Sequence, residues 1–511
     1  MCGLLTSLNL SLQKIIKKGN KLSKGVTPKS EDYSRWYTDT ITKAEMADYG
    51  PVKGSMVIRP YGFSIWNSIK DAFDKRFKET GHVNAYFPLF IPKSFFSREA
   101  NHVEGFAKEC AIVTHSRLKS SDDGSGLIVD PESKLEEEVI VRPTSETVIW
   151  SMYKKWIKSY RDLPLLINQW ANVVRWEMRT RLFLRTSEFL WQEGHTAHST
   201  EKEARNEALI ILDIYRKVAE NILAIPVITG LKSESERFAG AVDTYCIEAM
   251  MGDKRALQAG TSHYLGQNFA LAFDVKFQNE DNKEEFVYAT SWGVSTRLVG
   301  ALIMVHGDDK GLRLPPKIAP IQAVIIPIIK NEGSLTEIRK YLQPLLKCFE
   351  NQGVRYHFDD RDNISPGFKF NEWEMKGVPL RIEVGPRDIE TGTVFVVRRD
   401  NGEKKPLSLP LACDSLSSLL DEIQLNMFKQ AQKFQKENTF LVKSYDEFKS
   451  ILKKGGFISC GWDGTTDSEA AIKSETGATI RCILFDCSPH EKNCIYSGNP
   501  SKYDVIFAKA Y

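Results

Sequence analysis

Apolar spacing predicts both helices and strands in the N-terminal part of the chain. Ile65, Ile69 and Phe73 recur at four-residue intervals between charged positions, which places them on one face of a helix over 61–82. Further helices are predicted at 146–160, 201–224 and 291–308. Short apolar or alternating runs predict strands at 84–92, 138–142, 170–177, 187–195, 272–277 and 285–291. Strands in succession, with helices set apart, predict an α+β domain in which helices flank an antiparallel sheet.

The pattern changes after a proline-marked segment, LPPKIAP, at 314–320. Buried-type strands then alternate with helices, which predicts a small α/β domain with a mostly parallel sheet. A polar amphipathic helix at about 414–437 leads into a small α+β unit that ends at Tyr511. The predicted division is a basic N-terminal extension at 1–28, a main domain at 29–316, an α/β domain at 317–420 and a C-terminal domain at 421–511.

Composition excludes some classes of protein without indicating a function. The 511 residues are 42% hydrophobic and 26% charged, with a net charge of +3. This balance is typical of a globular protein, and the net charge is too small to attract nucleic acid to the molecule as a whole. No apolar run approaches the ~20 residues of a membrane span, so we expect no membrane association. The nine cysteines include no CxxC pair, which predicts reduced thiols in a cytoplasmic protein.

The stretch LFLRTSEFLWQEGHTAH at 182–198 combines large rings with carboxylates. A period of two places Trp191 and Glu193 on one face of a strand, and Arg175 lies on the strand before it. Facing side chains in an antiparallel hairpin come within ~5 Å of one another, so Arg175 is expected near both residues. The hypothesis is a cleft with a cation, a carboxylate and an aromatic wall. A salt-bridged surface hairpin is the alternative.

Two further segments are candidates for ligand contacts. VRPTSET at 141–147 breaks a strand and opens a helix, where Thr144 serves either as an ordinary helix cap or as a ligand-binding residue. QAGTSHYLGQNFA at 258–270 places small residues before His263, which allows close approach of the backbone to a ligand. A structural histidine is the alternative there.

The charged candidates suit two kinds of ligand group. No GxxxxGK[ST] loop is present, so a triphosphate would need arginines such as Arg175, Arg185 and Arg297. The helix that carries Arg297 is apolar on most sides, and a buried unpaired arginine is costly, so we expect it to have a partner. The carboxylates of Glu146 and Glu193 suit an ammonium group. Both kinds of group together predict a site for an amino acid and a nucleotide.

At this level of detail the chain resembles a known family, the class II prolyl-tRNA synthetases of the archaeal/eukaryotic-like type. The resemblance covers residues from about 30 to the end. The matching segments are MVIRPYGFSIW at 56–66 for the first class motif, VVRWEMRTRLFLRTSEFLWQEGHTAH at 173–198 for the second, SWGVSTRLVGALIMVHGDDKGLRLPP at 291–316 for the third, and the family blocks RPTSE at 142–146 and GTSHYLGQNFA at 260–270. The resemblance implies a class II catalytic domain, then an anticodon-binding domain, then the C-terminal domain.

The resemblance also implies a role for each matching site residue. Arg175 and Arg297 would be the catalytic arginines, and Arg175 would bridge the amino-acid carboxylate and the α-phosphate. The residues implied to hold the prolyl amine are Thr144, Glu146 and Glu193. Those implied to line the ring pocket are Trp191, Phe238, His263 and Ser291. Those implied to hold ATP are Arg175, Glu177 (at the adenine), Arg185, Thr186, Phe189, Gln258, Thr261 and Arg297.

The implied substrates and partners are ATP with Mg²⁺, L-proline and tRNA(Pro). A homodimer formed around Pro60 and an RNA-binding face that includes 359–377 are also implied. No editing insertion is expected, because helix 201–224 and the 260–263 block occupy the span between the second and third motifs. Two alternatives remain open: another class IIa synthetase, or a noncatalytic synthetase-like RNA-binding protein.

Structural zinc is not expected, and no metal-binding residue is predicted. The family often binds zinc through four cysteines of the C-terminal domain. Cys460 and Cys494 match two of these positions, but Ser468 and Ser497 stand at the partner positions. Cys482 and Cys487 could substitute only at a spacing that is not the family's. A tetrahedral structural site needs four Cys or His ligands.

Overall fold

The computed structural model describes residues 25–97, 110–329, 333–485 and 493–511. Most of the predicted N-terminal extension, and Cys2 and Cys487, lie outside these residues. None of the helices in the described ranges is long and apolar enough to cross a membrane.

Helices of the main domain flank its strands, as predicted. The helices are α1 (Tyr33–Lys43), α2 (Pro60–Glu79), α3 (Lys93–Ser97), α4 (Glu146–Trp156), α5 (Glu201–Asn221), α6 (Asn268–Phe273) and α7 (Arg297–His306). The strands are β1 (Ala47–Tyr49), β2 (Met56–Ile58), β3 (Val83–Asn84), β4 (Phe90–Pro92), β5 (Ala111–His115), β6 (Leu118–Ser120), β7 (Leu127–Val129), β8 (Lys134–Val141), β9 (Leu165–Val174), β10 (Glu188–His198), β11 (Val227–Leu231), β12 (Asp243–Met250), β13 (Ala256–Gly266), β14 (Lys276–Gln278), β15 (Glu284–Phe286) and β16 (Tyr288–Ser295).

A single sheet with the strand order β3-β9-β10-β16-β13-β12-β11 forms the centre of this domain. All neighbours are antiparallel except β3 and β9. Helix α5 covers one face, where the Tyr215 hydroxyl donates to Gln192 Oε1 over 2.8 Å. Successive residues of a strand point to opposite faces, so Glu193 faces away from α5. The predicted antiparallel α+β architecture is therefore confirmed.

Several predicted elements of this domain are wrong in detail. The predicted strand at 272–277 is the end of α6 followed by β14. The predicted helix at 291–308 begins only at Arg297, because residues up to Ser295 pair with β10 and β13 on either side. Strands β11, β12 and β13 were not predicted. These three strands mix small and polar residues with apolar ones, so they lack the clear apolar alternation that would predict a strand.

The second domain contains a five-stranded sheet in the order β18-β17-β19-β20-β21. Its strands are β17 (Ala323–Pro327), β18 (Tyr356–Phe358), β19 (Leu380–Val384), β20 (Thr393–Arg398) and β21 (Lys404–Ser408). Its helices are α8 (Ser334–Asn351), α9 (Pro366–Met375), α10 (Pro386–Thr391) and α11 (Leu409–Asp414). Only the pairs that include β17 are parallel. The expectation of a mostly parallel sheet is wrong for the other half, where β20 is antiparallel to both β19 and β21. A loop of five residues joins β20 to β21, and antiparallel neighbours can be joined by such a short connection.

One cysteine expectation also fails in this domain. Cys348 of α8 and Cys413 near the end of α11 form a disulfide, so the prediction of reduced thiols throughout is wrong for this pair. The two residues are 65 positions apart, and only the packing of the two helices brings them together.

The C-terminal unit continues the central sheet instead of standing apart from it. Helix α12 (Leu416–Glu437) crosses to it, and the predicted boundary at 420/421, which stays a prediction, falls inside this helix. The remaining elements are β22 (Thr439–Leu441), α13 (Tyr445–Lys454), β23 (Phe457–Trp462), α14 (Thr466–Thr476), β24 (Thr479–Ile483) and β25 (Tyr503–Ala508). Strand β24 pairs with β11 through Ile483 and Leu231, which produces one sheet of 11 strands. A side chain at Gly230 would lie 2.3 Å from the Ile483 carbonyl oxygen, so this junction requires glycine.

Candidate active site

Three neighbouring strands form the floor of a cleft on the sheet face that α5 leaves open. His195 of β10 lies opposite Ser291 of β16, which in turn lies opposite His263 of β13. Gly194, between the cleft-facing residues of β10, is in close contact with Trp292. A Cβ atom at Gly194 would stand 2.1 Å from that ring. The close approach explains why glycine interrupts the carboxylate and aromatic residues of this strand.

All fifteen predicted site residues line this one cleft, which has a volume of about 380 Å³. Cavities of this size suit small ligands. The residues come from separate parts of the chain, namely Thr144, Glu146, Arg175, Glu177, Arg185, Thr186, Phe189, Trp191, Glu193, Phe238, Gln258, Thr261, His263, Ser291 and Arg297. The ligand group that each of them binds stays a prediction.

Glu193 is the centre of a buried hydrogen-bond network. Its carboxylate accepts from Ser145 Oγ, from Gln169 Nε2 over 2.8 Å and from His195 Nε2 over 3.1 Å. Burial by itself would raise the pKa of Glu193, but the hydrogen bond and charge of His195, with the other two donors, lower it below its usual value. Burial would lower the pKa of His195, yet Glu193 raises it above the usual value. The pair is therefore favoured as carboxylate and imidazolium.

The helix start at α4 does not use its hydroxyls as caps. The Ser145 side chain makes no capping hydrogen bond and donates to Glu193 instead. Thr144 Oγ1 donates to the buried carboxylate of Glu146. The cap interpretation of this segment is therefore wrong, and both hydroxyls orient carboxylates at the cleft.

Aromatic side chains enclose the same end of the cleft. The Phe238 and His263 rings stack with centroids 4.5 Å apart, and His263 Nδ1 lies 3.0 Å from Thr244 Oγ1. Burial lowers the pKa of His263 to about 3, with a smaller contribution from the charge of His195. His263 is therefore a neutral wall of the pocket. Trp191 Nε1 and Ser291 Oγ are buried and have no hydrogen-bond partner within the described ranges.

Arginines cluster at the other end of the cleft. The Arg175 guanidinium lies 5.4 Å from the Trp191 ring centroid and donates from Nε to the Pro143 carbonyl over 3.0 Å. Burial, followed by the charges of Arg185 and Arg175, lowers the pKa of Arg297 to about 10. In the part of the chain that the structure describes, no acidic side chain forms an ion pair with Arg297, so the expectation that Arg297 has a partner stays a prediction. Arg185 reaches Glu177 only at 3.8 Å.

Sequence reasoning missed several residues that line the cleft or hold one of its side chains in place. His195 was not included among the predicted site residues. It stands two residues after Glu193 on the same strand, so the period-two pattern already indicates that it faces the cleft. Gln169 lies opposite Glu193 on β9, and Thr244 and Glu236 reach the cleft from β12 and the loop before it. These three carry no signal in the sequence, because only sheet register and loop packing bring them in.

Family models match most of the described chain. The class II tRNA synthetase core domain (G, H, P, S and T) matches 129–306, an anticodon binding domain matches 322–419, and the C-terminal domain of prolyl-tRNA synthetase matches 445–511. A curated proline–tRNA ligase from Porphyromonas gingivalis is 57% identical over 96% of this chain and 99% of its own length. The chain belongs to the class II prolyl-tRNA synthetases.

Other prolyl-tRNA synthetases are similar over the same extent. The proline–tRNA ligase of Azobacteroides pseudotrichonymphae genomovar. CFP2 is 58% identical over 96% of this chain and 99% of its own length. A crystal structure of prolyl-tRNA synthetase from Cryptosporidium parvum, complexed with halofuginone and AMPPNP, superposes with a TM-score of 0.90 at 40% identity. A second one, complexed with L-proline and AMP, superposes with a TM-score of 0.87 at 39% identity. Each covers 96% of this chain and 100% of the solved chain.

Proposed function

We propose that the cleft forms prolyl-adenylate from L-proline and ATP and transfers the prolyl group to tRNA(Pro). Proline–tRNA ligase activity follows from membership of the family. The observation that carries the site assignment is the juxtaposition of a buried, hydrogen-bonded carboxylate, Glu193, with an arginine, Arg297, that has no acidic partner in the described residues. An ammonium group complements the first, and a polyphosphate complements the second.

The buried end is proposed to bind proline. Thr144, Glu146 and Glu193 hold the prolyl amine, since two buried carboxylates face this end of the cleft. The small ring packs against aromatic and hydroxyl groups, namely Trp191, Phe238, His263 and Ser291. His263 suits an apolar ring because burial keeps it uncharged.

The arginine end is proposed to bind ATP. The residues assigned to it are Arg175, Glu177, Arg185, Thr186, Phe189, Gln258, Thr261 and Arg297. The proline carboxylate oxygen attacks the α-phosphorus in line, the bond to the pyrophosphate oxygen breaks, and pyrophosphate leaves. Arg175 and Arg297 stabilise the charge that develops on the phosphoryl oxygens. The terminal ribose hydroxyl of the tRNA then attacks the acyl carbon, and AMP leaves. The cleft accelerates both steps by holding the reacting groups in position, and no nucleophile of the protein is needed.

Mg²⁺ is proposed to accompany ATP. The described residues contain no group of three or more His, Cys, Asp or Glu side chains that could hold a metal. This composition fits an ion held mainly by phosphate oxygens and water, as Mg²⁺ often is in nucleotide sites. When bound, the ion neutralises phosphate charge.

Exchange of labelled pyrophosphate into ATP tests the proposal. Purified protein should catalyse exchange with L-proline, and exchange with threonine or glycine should be lower by several orders of magnitude. Equal exchange with threonine or glycine would favour another class IIa synthetase. A complete lack of exchange would favour a noncatalytic RNA-binding protein.

The archaeal/eukaryotic-like subtype without an editing insertion is a further proposal. Between β10 and β16 the chain forms α5, β11, β12, β13, α6, β14 and β15, and the sheet strands among these are parts of the core. These elements leave no long segment between β10 and β16 for a further domain, which supports the absence of an editing domain. Alanine lacks two ring methylenes, and each is worth ~1–3 kcal/mol of discrimination, so alanine should be activated roughly 10²- to 10⁴-fold less efficiently than proline. Rapid enzyme-dependent hydrolysis of preformed alanyl-tRNA(Pro) would refute this proposal.

A homodimer around Pro60 is proposed as the working assembly. Tyr49, Val57 and Phe63 near this residue are 57%, 51% and 43% exposed, and exposed apolar groups of this kind are suited to burial against a second copy. Light scattering should give twice the 58.0 kDa chain mass.

The cytoplasm is the proposed location, since a tRNA ligase must meet tRNA where proteins are made. The loop and helix at 359–377 are the proposed anticodon face.

We also propose that the C-terminal domain holds no structural zinc. Ser468 and Ser497 both donate to Asp463, over 2.7 and 2.6 Å. Cys482 packs in a different apolar cluster from Cys460 and Cys494. Metal analysis after dialysis should find less than one tenth of a zinc ion per chain. One zinc ion per chain would refute the proposal and implicate Cys487.

A further inference from the structure

The loop between β11 and β12 connects the amino-acid end of the cleft with the C-terminal domain. It carries Glu236 and Phe238, which both line the cleft. The Phe238 ring stacks on His263, and its backbone N–H donates to Thr244 Oγ1 over 3.2 Å. The position of this loop therefore determines how closely an aromatic ring covers the pocket.

Helix α14 of the C-terminal domain contacts this loop at two points one helical turn apart. Ser233 Oγ donates to Glu469 Oε1 over 2.6 Å, and both residues are buried, with 2% and 3% exposure. Lys473 Nζ donates to Glu236 Oε1 over 2.9 Å. Residues four apart lie on the same face of a helix, so α14 presents a carboxylate and an ammonium to the two ends of one loop segment.

The base of the loop is fixed to the same domain by a buried charge cluster. Lys232 Nζ donates to Glu248 Oε1 and to the Arg481 carbonyl oxygen, each over 2.7 Å. The Arg481 guanidinium donates to the same Glu248 carboxylate over 2.9 and 3.2 Å. Buried and mutually hydrogen-bonded charges form a rigid unit. The loop is therefore anchored at Lys232, and the contacts with α14 decide where the segment beyond it lies.

We infer that helix α14 is a positioning element for the amino-acid pocket, in which Glu469 and Lys473 hold segment 233–238 so that Phe238 covers the bound ring. The inference rests on the proposed assignment of this pocket to proline. Neither Glu469 nor Lys473 lines the cleft. They act through Ser233 and Glu236, and the segment they hold does not contain the residues assigned to ATP.

This geometry predicts a selective kinetic effect. Loosening the segment removes contacts with the proline ring, so the KM for proline should rise, while the KM for ATP and kcat should stay within twofold of wild type. Alanine has no ring for Phe238 to cover, so its KM should not change. Discrimination between proline and alanine should therefore fall by the same factor as the KM for proline rises. A general loss of structure would not produce this pattern.

The test uses variants of the full-length enzyme in proline-dependent pyrophosphate exchange. Glu469→Ala removes a buried charged acceptor and should raise the KM for proline about tenfold. Lys473→Glu reverses an exposed charge beside Glu236 and should raise it about threefold, a smaller change because solvent screens the pair. Lys473→Arg keeps the charge and should match wild type. Lys449→Glu is the control, since Lys449 pairs with Asp446 inside the C-terminal domain.

The possible outcomes separate this inference from the function it rests on. If Glu469→Ala does not fold, Lys473→Glu decides the matter alone, since Lys473 is 56% exposed in its side chain. Unchanged KM values for proline in the folded variants would overturn the inference. So would parallel changes in kcat and in the KM for ATP. Absence of proline-dependent exchange in the wild type would instead refute the assignment of the pocket.

Discussion

The two ends of the cleft differ in whether their charged side chains are paired with a group of opposite charge. At the end proposed to bind the amino acid, Glu193 and His195 are buried and paired with each other, and Glu193 also accepts hydrogen bonds from Ser145 and Gln169. This end pairs its buried charges, while Trp191 Nε1, Ser291 Oγ and His195 Nδ1 have no hydrogen-bond partner among the described residues. At the end proposed to bind ATP, burial and then the charges of Arg185 and Arg175 lower the pKa of Arg297 to about 10. This second end brings several arginines together, and we propose that the phosphates of ATP neutralise their charge.

This difference indicates where binding energy and selectivity arise. A buried hydrogen-bonded site penalises a ligand that leaves one of the polar groups of the site without a partner. In the proposed assignment, phosphate binding relieves the repulsion between the arginines, and the arginines stabilise the charge that develops during transfer. We therefore expect substitutions at the two ends to affect different substrates.

The largest effect is expected from Arg175→Ala at the junction of the two ends. Loss of a cation that stabilises the transition state in a dry site costs ~3–4 kcal/mol or more, so exchange should fall by a factor of about 150 or more. The circular dichroism spectrum should not change. Arg76→Ala, which removes an exposed arginine paired with Glu79 on α2, is the matched control. Near-normal exchange by Arg175→Ala would contradict the assignment.

Glu193→Gln should affect the amino-acid end selectively. The change keeps the shape of the side chain and removes the charge, so a charge-assisted interaction with the prolyl amine, worth ~1.5–3 kcal/mol, is lost. The KM for proline should rise roughly 10- to 150-fold, with little change in the KM for ATP. Glu188→Gln alters an exposed carboxylate of the same strand and serves as the control. A rise in the KM for ATP of equal size would remove the distinction between the two ends.

The two histidines of the amino-acid end should give pH effects of opposite sign. The pKa of His263 is lowered to about 3, so its contribution to stability is complete above pH 6.5 and is lost as pH falls below it. The pKa of His195 is raised, so its contribution is complete below pH 6.5 and is lost as pH rises through that pKa. Each contribution changes by at most ~1.4 kcal/mol per pH unit.

Urea unfolding from pH 5 to 8.5 measures both contributions. His263→Asn should lose less stability than wild type between pH 6.5 and 5. His195→Asn should lose less than wild type on the alkaline side. If both variants reduce the pH dependence of the unfolding free energy on the same side of pH 6.5, the assignment of opposite charge states to the two rings is wrong.

The smallest effect is expected from Arg185→Ala at the ATP end. The Arg185 side chain is 49% exposed, and solvent screens its interaction with phosphate, so about 1 kcal/mol or less is at stake. The KM for ATP should rise by up to about fivefold, and the KM for proline should not change. A loss of exchange activity as large as that of Arg175→Ala would mean that the contribution of an arginine at this end does not depend on how deeply it is buried.

The residues that could be predicted from the sequence belong to short, continuous segments. Arg175, Trp191, Glu193 and Arg297 stand in runs that match the family, and all of them line the cleft. The antiparallel architecture was also predictable, because strand β10 alternates with period two and helices α2 and α5 have clear apolar faces. These signals are local, so a pattern of neighbouring residues contains them.

Tertiary structure alone decided the rest. Sheet register brings Gln169 to the Glu193 carboxylate and Thr244 to the cleft. Helix α14 reaches the pocket loop across 236 positions of chain, through the Ser233–Glu469 hydrogen bond. The absence of an acidic partner for Arg297 among the described residues was not predictable, because local sequence shows that an arginine is buried but not which charges surround it. Apolar periodicity records which face of an element is buried, whereas the contact between two elements depends on how their faces are oriented in space.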